Sequence, residues 1–329
     1  MEFRTIVEFA MPGVSVCPAH RLALLGSCFA DYVGGRMVRS GLDVHVNPFG
    51  VLYNPSSLSA ACMSWVLEGG WPDECFFESG GAWYCWLNDS SFVAESREAC
   101  RARLEEVRRT EAARLRSLDY LFLTLGTNRC YELKDGGLVV GNCHKQPAGL
   151  FVERQMDVSE VVETLGRTLE ALWEVRPSLQ VVFTVSPYRY AKYGFHGSQL
   201  GKSVLLLAVD ELCRRHEGRC HYFPAYEIVL DELRDYRFYA DDMLHPSEAA
   251  VAYIWERFTA TCFAPETRAF AGEWEAVEKA LAHRPRRPDT EAHRAFLRQT
   301  MLKLERLVGK YPNLALTPEY ERLNGLLNK

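Results

Sequence analysis

Short apolar runs alternate with amphipathic stretches along most of this chain, and that alternation restricts the fold more than any other feature. Residues 22–25, 42–46, 120–125, 180–185 and 221–224 are too short for helices and read as strands, mostly buried. Residues 29–39, 55–65, 97–115, 159–175, 200–215 and 247–263 carry helical periodicity. Asn54-Pro55 supplies an N-cap and a first-turn proline, and Ser247 a second N-cap. Strand–helix alternation of this kind predicts a central parallel sheet with helices on both faces, a three-layer α/β/α sandwich.

The rhythm breaks in two places. Residues 71–93 set Phe76, Phe77, Trp83, Tyr84, Trp86 and Phe92 around Gly80-Gly81, which predicts an inserted β-hairpin whose rings pack on the domain. Beyond about residue 268 only helical stretches follow, at 274–282, 290–307 and a short segment near Pro318. The basic run His283-Arg284-Pro285-Arg286-Arg287-Pro288 between them reads as a solvated linker. Residues 1–267 are therefore expected to form one α/β domain and 268–329 a helical extension packed on it.

Composition narrows the partners. The 329 residues include 38 basic and 43 acidic side chains, a net charge of −5 with no basic excess, so no nucleic-acid partner is expected. There is no run of 18 apolar residues, hence no expected membrane span. Met1-Glu2-Phe3-Arg4 lacks the basic-then-apolar design of a secretory signal. Eleven cysteines, an odd number without a C-x-x-C pair, read as free thiols in a reducing compartment. The expected location is cytoplasmic; the oligomeric state stays open.

Ligands of open parallel sheets bind beyond the carboxyl ends of the strands. Gly26-Ser27, Asn47-Pro48-Phe49-Gly50, Gly126-Thr127-Asn128 and Ser186-Pro187 all fall at such ends. Ser27 follows a strand and opens a helix, where the helix dipole favours developing negative charge. A serine needs a base, and the base an orienter. His245 is the candidate base, with Asp242 three residues before it as orienter and Asp241 as competitor. Backbone N–H groups of Ser27 and Gly50 and the Asn128 amide are candidate oxyanion donors. Two rival chemistries stay open: Cys28 as a thiolate nucleophile, and a metal site drawn from His45, His144, His196 and Asp242.

Gly26-Ser27-Cys28-Phe29-Ala30 resembles the signature of the GSCFA family, which is similar to the SGNH (GDSL-type) hydrolases; the resemblance spans residues 20–265. It implies a flavodoxin-like SGNH hydrolase fold with Ser27 as nucleophile, Gly50 and Asn128 in the oxyanion hole, and His245 with Asp242. The first block departs from the common Gly-Asp-Ser form. Family-like stretches also hold His144, Lys145, Arg189 and His196, candidate substrate ligands. The implied activity is a serine esterase working through an acyl-enzyme on a small-molecule or glycan ester, with no metal or organic cofactor. An acyltransferase with the same triad, or a non-catalytic carbohydrate- or partner-binding module, are the alternatives.

Overall fold

The computed structural model describes residues 4–67, 69–283, 290–311 and 317–327. In chain order the elements are β1 (Arg21–Gly26), α1 (Cys28–Arg39), β2 (Asp43–Val46), α2 (Pro55–Met63), β3 (Phe76–Ser79), β4 (Ala82–Cys85) and α3 (Arg97–Leu115). There follow β5 (Tyr120–Leu125), β6 (Arg129–Leu133), β7 (Val139–Val140), β8 (Phe151–Gln155), α4 (Val158–Val175), β9 (Gln180–Val185) and α5 (Gly194–Arg215). The chain ends with β10 (Cys220–Tyr222), α6 (Ala225–Glu227), α7 (Glu248–Cys262), α8 (Pro265–Ala282), α9 (Glu291–Lys310) and α10 (Thr317–Leu327).

The central sheet runs β10-β9-β5-β1-β2 with every pairing parallel. Side chains alternate across it with period two, which creates two cores. Ala23, Leu25, Leu121, Leu123 and Phe183 face the helices α2 to α5. Leu22, Leu24, Tyr120, Phe122 and Val182 face the other layer, built from α1, α7 and the C-terminal helices, whose Trp274, Leu297, Leu304 and Leu323 join the same cluster. Counting only its own strands, the sheet has the flavodoxin-like order 2-1-3-4-5, whose topological switch lies between β1 and β5. The Ser27 and Asn128 segments leave the sheet at that crevice.

Local chemistry explains the boundaries. Asn54 caps α2 by accepting from Ser57 N–H, Ser247 caps α7 through Ala250 N–H, and Asp157 closes a capping box with Glu160 at the start of α4. Gly80-Gly81 turns the β3–β4 hairpin, both at positive φ. Three features depart from expectation. A second sheet, β7-β6-β8, is antiparallel and mostly half-exposed; it packs Val140 and Phe151 on Trp86 and carries Arg129–Glu153 and Arg154–Glu132 pairs, and a search for apolar runs passes it over. Helix α5 begins at Gly194, ahead of residue 200, through poor helix formers. Helix α8 begins at Pro265 rather than 274, with proline in its first turn. The basic run 284–288 lies outside the described residues. Among the described residues no helix is long and apolar enough to cross a membrane.

Candidate active site

Strand β1 ends at Gly26, where a Cβ would stand 2.4 Å from Thr124 O, so only glycine lets β1 and β5 close up here. The Gly26 N–H donates to Asn47 Oδ1 (2.8 Å), while Asn47 Nδ2 donates to Asp31 Oδ1 on α1 (2.6 Å). Asn47, at φ 43°, thus ties the ends of β1 and β2 to the following helix. Ser27 comes next, 3 % exposed, as the N-cap of α1, its Oγ accepting from Phe29 N–H at 3.4 Å. A cap bond this long is weak and leaves the hydroxyl lone pairs largely uncommitted. Burial pushes the neighbouring Cys28 thiol up, which disfavours the thiolate that a cysteine nucleophile would need.

His245 and Asp242 come together in the loop before α7. Asp242 Oδ1 accepts the N–H groups of Leu244 (2.8 Å) and His245 (3.0 Å), and Oδ2 meets His245 Nδ1 at 2.5 Å. The bonds from the His245 backbone and ring, then Leu244, hold the Asp242 carboxyl down at about 2. An ionised carboxylate can only accept, so Nδ1 carries a proton, and in the neutral imidazole that leaves the lone pair on Nε2, the tautomer a general base requires.

The loop is clamped from β9. The Arg189 N–H donates to Leu244 O (3.1 Å) and its guanidinium to Met243 O (3.0 Å), with the Met243 backbone at φ 57°. The guanidinium is itself sandwiched between the rings of Phe195 (4.1 Å) and Tyr239 (5.0 Å). Tyr188 packs its ring on His245 with centroids 4.4 Å apart, and burial, then the Asp242 charge, pushes its hydroxyl up. Among the described residues no hydrogen bond joins Ser27 Oγ to His245; bonds of this kind commonly tighten only around substrate.

The three oxyanion donors are engaged in this state. Gly50 N–H was expected free but closes a turn onto Asn47 O (2.8 Å), with a backbone at φ 80° and the Asp89 carboxyl filling the space of a Cβ. Ser27 N–H reaches Thr124 O at 3.3 Å, a long contact, and Asn128 Nδ2 donates to Met156 O at 2.8 Å. An amide has two N–H bonds, so one remains on Asn128.

The substrate-ligand candidates separate. His144 does not reach the rim: the hairpin folds Phe77, Tyr84 and Trp86 around it. Its Nε2–H donates to Cys85 O (2.9 Å) and its Nδ1 accepts from Ser90 (3.0 Å), so it serves as a structural corner. Lys145 follows in a left-handed turn, exposed. Arg189 is the loop clamp rather than an open anion ligand. His196 is exposed in the first turn of α5. Among the described residues, no three His, Cys, Asp or Glu side chains gather where they could hold a metal ion.

Lys202 went unnoticed in the sequence. It is 2 % exposed on α5, and its ammonium donates to Gly126 O (2.5 Å) and Ser186 O (2.6 Å), the carbonyls just past β5 and β9. The Tyr190 ring lies over it at 5.2 Å. Burial brings its pKa down to about 7, slightly opposed by Cys28. The signal was present: Lys202 interrupts the buried stripe Gly201, Leu205, Ala208, Val209, Leu212 at helical spacing.

A model of the GSCFA family matches residues 21–258, and one described as the GSCFA domain protein C-terminal domain matches 274–329. No curated protein matches the chain. Among solved structures, similarity extends to a family 3 carbohydrate esterase of Clostridium thermocellum (TM-score 0.35, 12 % identity, 77 % of this chain and 99 % of that one). It extends also to an acetyl xylan esterase of the rumen bacterium Butyrivibrio proteoclasticus (TM-score 0.39, 12 % identity, 74 % and 65 %).

Proposed function

The chain belongs to the GSCFA family, and from that premise we propose that it is a serine esterase acting on an O-acylated alcohol, an acylated carbohydrate being the favoured class. The observation that carries this reading is the His245–Asp242 pair, its ring proton held on Nδ1 by the carboxylate and its imidazole packed by Tyr188. His245 Nε2 takes the Ser27 proton as Oγ attacks the ester carbonyl, and Asp242 holds the imidazolium that forms. The oxyanion draws on the Ser27 N–H, the remaining Asn128 N–H and the first turn of α1. The Gly50 N–H would have to leave Asn47 O to join them. Collapse expels the alcohol with the proton from His245, leaving an acyl-Ser27 that water hydrolyses by the same steps. An alcohol in place of that water would make the enzyme an acyltransferase.

The test is hydrolysis of p-nitrophenyl acetate by wild type and Ser27→Ala. Turnover in the first and background rate in the second supports the reading. Equal rates would remove Ser27 from the chemistry, and no turnover in either would favour a binding module.

A further inference from the structure

A cavity of about 270 Å³ lies beside Tyr188, the ring packed on His245, and nothing in the mechanism above uses it. Its inner wall is made of Tyr188, Arg189 and Tyr239. All three hold the base loop: Tyr188 by its ring, Arg189 by its two bonds, and Tyr239 by a bridge to Pro246. The floor comes from the segment after α6, where Ile228–Glu232 winds as a π-helix and Leu230 lines the cavity. Widened turns of this sort are frequent at functional sites. At the mouth stands Tyr236, 69 % exposed.

Resting on the esterase reading, we infer that this cavity binds the alcohol half of the ester, and that the alcohol is a single sugar ring. The side is set by proton bookkeeping. In the collapse step the ester C–O bond breaks, its electron pair goes to the leaving oxygen, and that oxygen takes the proton His245 Nε2 received from Ser27. The leaving oxygen must therefore lie within hydrogen-bond reach of His245. The alcohol skeleton extends from the base, and the acyl group lies on the Ser27–Asn128 side. A cavity walled by Tyr188, whose ring packs on His245, is thus on the alcohol's side.

The lining sets the class. Tyrosine rings offer apolar faces with a hydroxyl at the edge. Gln199 Oε1 accepts from the Tyr226 hydroxyl, leaving its N–H groups to donate. Phe195, Val229, Leu230 and Leu233 add apolar surface, and a hydroxylated ring meets both these faces and the Gln199 donors. The volume falls just under the ~300–1,000 Å³ of drug-sized sites, room for one ring.

The experiment compares wild type, Tyr236→Ala and Leu230→Trp on mono-O-acetyl methyl glucopyranoside and xylopyranoside, vinyl acetate and vinyl octanoate. The expected result is that kcat/KM for a sugar acetate relative to vinyl acetate drops about three- to ten-fold in Tyr236→Ala and at least as far in Leu230→Trp, while octanoate relative to acetate holds steady. A drop in the octanoate ratio instead would assign the cavity to the acyl chain. Sugar ratios unmoved in both variants would also overturn the inference. Saturation-transfer NMR of methyl glucopyranoside and methyl xylopyranoside on Ser27→Ala, against Ser27→Ala/Tyr236→Ala, reads the cavity without turnover. Ring-proton transfer from either sugar that the second substitution removes supports the assignment, and its absence for both contradicts it. If no ester turns over, the esterase reading fails while this measurement still decides the cavity.

Discussion

Ser27, 3 % exposed, is held by backbone that the sheet itself fixes, whereas His245, its side chain 39 % exposed, rides on a loop without a strand or helix of its own. On the serine side the supports belong to the sheet and its strand ends: Gly26 against Thr124, Asn47 across the turn, and Lys202 stitching the ends of β5 and β9. On the histidine side they are side chains from a neighbouring loop, Arg189 reaching Met243 and Tyr188 packing on the imidazole. The difference teaches where each kind of damage should show. Losing a support of the serine should cost stability, because it is part of the sheet. Losing a support of the histidine should cost rate, because the loop survives but the base loses its aim.

The largest effects come from removing the two residues compared. Ser27→Ala and His245→Ala should each lower kcat by about 10⁵-fold or more. Ser27→Ala should also cost about 1 kcal/mol by uncapping α1, and His245→Ala nearly nothing, as denaturant titration would report. Equal stability losses would erase the contrast. Asp242→Asn comes next, with a fall of about 10³- to 10⁴-fold in kcat from the wrong tautomer and little change in KM.

Arg189→Ala sharpens the comparison further. The backbone bond to Leu244 survives, so the loop stays, but the bond to Met243 and both ring contacts go. We expect kcat to fall about ten-fold with a melting temperature near wild type. Arg189→Lys should restore it only in part, since an ammonium cannot fill the planar slot between two rings.

Lys202→Met gives the smallest effect on rate; its effect is on stability, read as a pH dependence. The folded amine titrates at about 7 and the unfolded one at about 10.5. Between those values the unfolded chain binds the extra proton, so wild-type stability gains from this group as pH rises, by at most about 1.4 kcal/mol per pH unit. Below pH 7 both states are protonated and the slope vanishes. Thermal melts from pH 7 to 10 should therefore show a positive wild-type-minus-variant slope. A flat difference would mean that Lys202 keeps its ordinary proton inside the fold.

What could be read from the sequence was what is local in it. Strand runs such as 120–125, caps such as Asn54 and Ser247, and the Asp242–His245 spacing each depend on neighbours a few residues away, and all reappear in the structure. Arg189 and His144 looked like ligands because a charged or titratable residue beside a strand end reads as available. Contacts 54 and 59 residues away, to Met243 and Cys85, commit them elsewhere. The Gly50 N–H is a different case: the glycine was noticed, but its donor closes the turn onto Asn47 O, with the Asp89 carboxyl where a Cβ would stand. The second sheet stayed hidden because its strands are short and charged residues such as Arg129, Glu132, Glu153 and Arg154 interrupt them, while its Val140 and Phe151 pack on Trp86 of a distant segment.

The most direct test is to label wild type and Ser27→Ala with a fluorophosphonate and map the adduct by mass spectrometry. An esterase built on Ser27 predicts one adduct per chain, on the peptide carrying Gly26-Ser27-Cys28, absent in the variant. An adduct on another serine, or one that persists in Ser27→Ala, would contradict the assignment of Ser27 as the nucleophile.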